Sequence, residues 1–126
     1  MSIKYNVSER INPLNPQEPK KWYAATRSTG STDIKALGKE IAQRSTVSPA
    51  DTQAVLVALT EVLAEHLSNG QIVRLDDFGS FQISIGSEGA ETEAKFNASM
   101  IKNRKVAFRP GAEIKSMLNN LKFEKL

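Results

Sequence analysis

The sequence predicts an α+β fold, and three observations carry that expectation. A period of two runs through Ile3-Lys-Tyr-Asn-Val7 and returns in Phe81-Gln-Ile83-Ser-Ile85, the spacing of half-buried strands. Between them, from Ile34 to Leu67, the apolar residues fall at helical spacing. The two regimes meet in Asn69-Gly70-Gln71-Ile72-Val73-Arg74-Leu75-Asp76-Asp77-Phe78-Gly79-Ser80-Phe81, which joins a long helix to a tight strand-turn-strand bearing two aromatics. The expected organisation is a β-strand extension at residues 1–31 and a body at residues 32–126. A chain of 126 residues holds one domain and an appendage, since a domain takes roughly 100–200 residues.

The strand at 3–7 is followed by Asn12-Pro13-Leu14-Asn15-Pro16-Gln17-Glu18-Pro19, a loop, because three prolines allow neither regular structure. Lys21-Trp22-Tyr23-Ala24-Ala25-Thr26 reads as a second strand, and Ser28-Thr-Gly30-Ser-Thr32 as a turn. Ile3, Tyr5, Val7 and Trp22 need apolar cover. Trp22 and Tyr23 can stack on bases, although packing is the commoner role of aromatics in a small sheet.

Thr32 is placed to cap the first helix, with Asp33 at the positive end of its dipole and Ile34, Leu37 and Ile41 on one face. Gly38 either weakens that helix or lets something pack closely. Ser48-Pro49 starts a second helix, serine as N-cap and proline at the first helical position. It runs to about Ser68, roughly 30 Å at 1.5 Å per residue. Val55, Leu56, Leu59, Val62, Leu63 and Leu67 cover a broad arc of it, with Val57 and Ala58 outside that arc. So much apolar surface suits a helix held between two layers. A body this small also buries too little to stand securely alone. Both points predict an intimate homodimer.

Gly70 ends the helix in a left-handed conformation, and Gly79 permits a sharp bend. After the strand at 81–85, Gly86-Ser-Glu-Gly-Ala-Glu-Thr-Glu93 is a polar tip, and the chain returns as a strand from about Ile101 to Phe108. Pro110 stops it. Ile114, Met117, Leu118 and Leu121 mark a short helix, and Lys122-Phe-Glu-Lys-Leu126 is either its end or a further edge strand.

Net charge is +3, but residues 1–32 carry +3, residues 33–85 carry −3 and residues 86–126 carry +3. Lys95, Lys102, Arg104, Lys105 and Arg109 follow one another with no acid between them. A basic strand on a mildly acidic body is the footprint of a polyanion ligand. The same pattern also serves an edge strand that blocks aggregation.

Several function classes lack support. With no cysteine there is neither a disulfide scaffold nor a thiolate metal site. Asp77-Phe78-Gly79 spells a kinase magnesium motif without the Gly-rich loop, strand lysine or catalytic loop that give it meaning. Gly79-Ser80 lacks the second glycine of a nucleophile elbow. His66, the only histidine, falls in the last turn of the second helix, where a cation suits the dipole. No catalytic residue, metal, cofactor, small-molecule substrate or membrane span is expected. The N-terminus has no apolar secretory segment, so a cytoplasmic location is expected and the sequons at Asn6 and Asn97 carry no weight.

Ser48-Pro49, Gly70, Phe78-Gly79-Ser80-Phe81 and Phe108-Arg109-Pro110-Gly111 stand in the order seen in the HU/IHF family of bacterial histone-like proteins, which residues 32–121 resemble. With its N-terminal extension the chain looks most like the HU-related proteins of Bacteroides-type bacteria. The resemblance implies an intertwined homodimer with two helices, a three-stranded sheet extended as a β-arm and a short C-terminal helix. It implies a dimer core of Leu59, Val62, Leu63, Phe78, Phe81 and Phe108. It also implies double-stranded DNA as partner, bound without base readout by Lys95, Lys102, Arg104, Lys105 and Arg109, in the nucleoid. The family's arm motif Arg-Asn-Pro-x-Thr-Gly is absent. No proline lies between Ile85 and Phe108, and the tip carries Glu88, Glu91 and Glu93. A kink wedged by proline is therefore not expected, and phosphate binding remains. The alternative is a dimeric scaffold that keeps the fold with weak or no DNA binding.

Overall fold

A computed structural model describes residues 1–126. Its elements are β1 (Ile3–Arg10), β2 (Lys21–Arg27), α1 (Ile34–Gln43), α2 (Pro49–Ser68), β3 (Val73–Leu75), β4 (Gly79–Ser87), β5 (Ile101–Pro110), α3 (Ala112–Asn119) and β6 (Phe123–Lys125). Two 3₁₀ turns, Glu93–Lys95 and Ala98–Met100, lie between β4 and β5. The contacts divide the chain into residues 34–116 and a second unit of residues 1–33 with 117–126. This grouping differs from a boundary after residue 31 with everything beyond it in the body. The last residues join the N-terminal strands because β6 lies parallel beside β1, Ile3 opposite Phe123 and Tyr5 opposite Lys125.

In the body unit, α1 starts one residue later than a Thr32 cap requires, so Asp33 adjoins its first turn. Ile34, Gly38 and Ala42 are its least exposed positions. Leu37 and Ile41, expected on the inward face, are uncovered. Gly38 is buried against α2, where a Cβ would make ordinary contact with Gln53 at 3.7 Å.

Helix α2 begins as its sequence requires, Ser48 accepting a hydrogen bond from the Asp51 amide at 3.1 Å with Pro49 in the first turn. It ends in a Schellman motif: the Gly70 amide donates to the Leu67 carbonyl at 3.0 Å and the Gln71 amide to that of His66 at 3.1 Å. Gly70 takes φ +81°, as that motif demands. Thr52, Leu56, Leu63 and Leu67 are the most covered residues of α2.

Strands β3, β4 and β5 form an antiparallel sheet in that order. Gly79, at φ +148°, opens β4 where a Cβ would sit 2.4 Å from the Arg109 carbonyl oxygen and 2.7 Å from the Phe108 ring. Phe108 packs against both Phe81 and Phe78 in tilted contacts, with ring centroids 4.9 and 5.5 Å away.

The other unit is a sheet of order β2-β1-β6. The tail is thus an edge strand, tied by the Ile3 amide to the Lys122 carbonyl at 2.7 Å and by the Leu126 amide to the Tyr5 carbonyl at 2.9 Å. Lys4 pairs with Glu124. That hydrogen bond first, then one from Ser2, holds the Glu124 carboxyl below its usual range. Ile3, Tyr5 and Val7 are half-buried, whereas Trp22, expected to pack, is 65% exposed on the edge strand.

No apolar side chain anywhere in the chain is buried. The accessible surface is 10631 Å², whereas the usual scaling gives about 6,700 Å² for a folded monomer of 13.9 kDa.

Candidate nucleic-acid interface

The register of β3–β5 sorts the body's side chains onto two faces, because residues paired across strands share a face and neighbours along a strand do not. One face carries Val73, Leu75, Phe81, Ile83, Ile85, Val106 and Phe108. The other carries Arg74, Ser80, Gln82, Ser84, Lys105, Ala107 and Arg109, with no acid at any paired position. Arg74 and Arg109 both oppose Ser80, from β3 and β5 respectively. At one strand spacing on each side of Ser80 they stand about 10 Å apart, and Lys105 lies about 13 Å along β5 from Arg109. Arg74, Lys105 and Arg109 are exposed and form no ion pair. Three free cations spread among short hydroxyl and amide side chains match the chemistry of phosphate oxygens.

The five cations expected to act together are therefore split. Lys105 and Arg109 lie on the polar face. Arg104 is opposite Ile85, on the face of Val106 and Phe108, whereas Lys102 is the unpaired residue of a β-bulge, where Gly86 faces Asn103 and Ser87 faces Ile101. Lys95 is not on a strand at all: it sits in the first 3₁₀ turn, 3.2 Å from Glu91. Lys102 lies 3.9 Å from Glu88. The acids of the tip thus engage two of its bases. Both pairs are exposed and contribute at most about 1 kcal/mol. Beyond Ser87 the tip closes through the Glu88 amide on the Met100 carbonyl at 2.8 Å, and Phe96 is exposed there.

On the apolar side of the body, Leu59, Val62 and Leu63 line an open hollow with Ile72, Val73 and Leu75. Leu59 and Val62 are 40% and 47% exposed, Phe78 and Phe108 46% and 41%. The His66 Nδ1 lies 2.6 Å from Gln71 Oε1, which anchors the end of α2.

A family model described as an HU domain fused to wHTH, Ig, or glycine-rich motif matches residues 1–125. The chain belongs to the HU/IHF family. Integration host factor subunit alpha of Vibrio atlanticus (strain LGP32) is 30% identical over 80 residues, covering 62% of this chain and 82% of that protein. The corresponding subunit of Vibrio cholerae O1 is 26% identical over 91 residues, 71% of this chain and 93% of its own. Among solved structures, a candidate DNA-binding protein of Bacteroides vulgatus superposes with TM-score 0.66 at 16% identity over 99% of this chain. This chain spans 48% of the length of that protein. Anabaena HU, crystallised with DNA, superposes with TM-score 0.56 at 22% identity, over 71% of this chain and 99% of HU. At those identities the two structures show the fold: mixed α+β, HU-like, with three helices and β-sheets.

Within this HU-like body, Arg74, Ser80, Gln82 and Ser84 are the polar-face residues that a reading by charge runs misses. Their signal was parity. Arg74 alternates with Val73 and Leu75, as Gln82 and Ser84 alternate with the isoleucines, and that places all of them opposite the apolar side.

Proposed function

We propose that the chain is a non-enzymatic, sequence-tolerant DNA-binding protein that acts as a homodimer and helps organise the bacterial nucleoid in the cytoplasm. The observation that carries this reading is the acid-free polar face of β3–β5, with Arg74, Lys105 and Arg109 unpaired. Such a face suits backbone phosphates, whose contacts position a protein on the duplex without reading its sequence. Membership of a family whose relatives include integration host factor and HU crystallised with DNA supports the same ligand.

Dimerisation is supported by the surface left over. The excess over a folded monomer is about 4,000 Å² per chain, more than the roughly 1,000–2,500 Å² that each partner contributes to an obligate interface, the protruding arm and the terminal strands accounting for part of it. Leu59, Val62, Leu63, Phe78, Phe81 and Phe108 are the residues we assign to that interface. Lys95, Lys102 and Arg104 on the arm are secondary contacts, two of them already shared with glutamates.

Those arm ion pairs favour a second reading, a dimeric scaffold with weak or no DNA affinity. A salt-titrated binding curve on duplex DNA separates the two. Three phosphate contacts per protomer predict an affinity drop of roughly a thousandfold between 50 and 200 mM salt. Absence of binding at 50 mM leaves the scaffold.

A further inference from the structure

The terminal sheet sorts its side chains as sharply as the body sheet does. Ile3, Tyr5, Val7, Trp22, Ala24, Thr26 and Phe123 share one face by register, along with Glu9 and Lys125. The opposite face carries Lys4 across from Arg27, Arg10 across from Lys21, and Tyr23 across from Ser8. Two directly opposed cation pairs in one short ladder are each destabilising. Edge protection does not require them, since cations on the edge strand β2 alone would suffice. Each β2 cation instead faces a second one on β1.

The electrostatics leave most of that charge available. Glu124 engages Lys4, whereas Arg10 and Lys21 form no ion pair. The Asn6 amide, oriented so that its nitrogen donates to the Ala25 carbonyl, accepts from Arg27 Nε at 3.2 Å and Nη2 at 2.9 Å. This holds the guanidinium in place and leaves its other donors free. The two pairs are six residues apart on β1, roughly 20 Å, and Tyr23, 44% exposed, lies between them. A planar ring flanked by exposed cations, one of them held by Asn6, suits a stacking and phosphate contact.

We propose that Arg10, Lys21, Tyr23 and Arg27 form a second contact surface for a phosphodiester backbone. The inference rests on the reading of the chain as a nucleic-acid-binding protein, but it uses none of the residues of the β3–β5 face. A ligand that is merely acidic would need the cations but not the ring.

The test uses the full chain and fluorescence anisotropy on a labelled duplex and on its single strand, with salt varied from 50 to 200 mM. The variant R10Q/K21Q/R27Q should bind at least one of the two about tenfold more weakly, with a salt slope shallower by about 2 to 3 per chain. Far-UV circular dichroism should match the parent, since the three side chains are exposed. The single variants R10Q and K21Q, each expected to weaken binding about twofold to threefold, keep the test decisive if the triple variant misfolds. Loss confined to the single strand, reproduced by Tyr23→Ala, identifies an unpaired strand as the source of the backbone. Loss on the duplex as well identifies double-stranded DNA.

Unchanged affinity and slope on both nucleic acids overturn the inference. So does retained DNA binding with weakened binding to polyglutamate, which assigns the face to an acidic protein. R74Q/K105Q/R109Q, run in parallel, tests the body face independently. If that variant alone loses affinity, the second surface fails and the proposed function stands. If only the terminal-sheet variant loses it, the second surface stands and the body assignment fails.

Discussion

The molecule contains two three-stranded sheets with the same division of labour and opposite origins. The body sheet is local: β4 and β5 form one hairpin and β3 precedes β4 by a tight turn, where the Phe78 amide donates to the Leu75 carbonyl at 2.9 Å and Asp76 adopts φ +44°. The terminal sheet joins the two ends of the chain, with β1 pairing to β2 across a proline-rich loop and to β6 across nearly the whole sequence. Both gather most apolar residues on one face and most cations on the other, Arg104 and Lys125 being the exceptions. Alternation within a strand is enough to sort charge, whichever way the strands find their partners.

Disrupting the body should have the larger consequence, because its apolar face and α2 leave so much surface uncovered. Leu59→Asp should abolish folding rather than yield a soluble monomer, since an unpaired charge is placed in the assigned dimer core. Sedimentation equilibrium checks it, and a folded, monodisperse monomer would remove the dimer from the account. Gly79→Ala comes next. Its Cβ would overlap the Arg109 carbonyl in a backbone conformation unfavourable to alanine, at a cost of about 3 kcal/mol or more in thermal or chemical unfolding.

Removing residues 122–126 should act on the other sheet alone. It deletes the hydrogen bonds from Ile3 to Lys122 and from Leu126 to Tyr5. Native-state hydrogen exchange should then show the amides of β1 opening more easily, by about 1–2 kcal/mol, while those of β4 and β5 keep their protection. Equal loss in both sheets would show that they unfold as one unit.

Much of this was legible because the signals are short-range. Ser48-Pro49 marked the start of α2, Gly70 its end, and Gly79 the bend before β4; each follows from the steric and hydrogen-bonding needs of a few neighbouring residues. The tail at 122–126 reads equally as helix end or edge strand, since a parallel pairing with Ile3–Tyr5 leaves no local mark. The uncovered Leu37, Ile41 and Trp22 were hidden for a related reason. Periodicity finds an apolar face but does not say what covers it. The five cations are near one another in sequence, whereas strand parity separates Arg104 from Lys105 and Arg109 and brings in Arg74.

The smallest expected effect concerns pH. The Glu124 carboxyl is lowered from 4.5 by Lys4 and Ser2, so its contribution to β6 pairing is full above that value and is lost as pH falls through the lower folded value. Protection of the β1 amides against hydrogen exchange should weaken in that acid window, once the intrinsic pH dependence of exchange is divided out, and Glu124→Gln should flatten the dependence. No change between the two proteins would show that the pair contributes nothing to the terminal sheet.

The most direct test of the central claim compares the two faces of the body sheet by the salt dependence of duplex binding. Arg74→Gln, Lys105→Gln and Arg109→Gln together should make the slope of log affinity against log salt shallower by about 5 per dimer. Arg104→Gln on the opposite parity, combined with Lys102→Gln at the bulge, should change it far less. Equal slopes for the two variants, or the greater loss from Lys102 and Arg104, would contradict the assignment of DNA to the polar face.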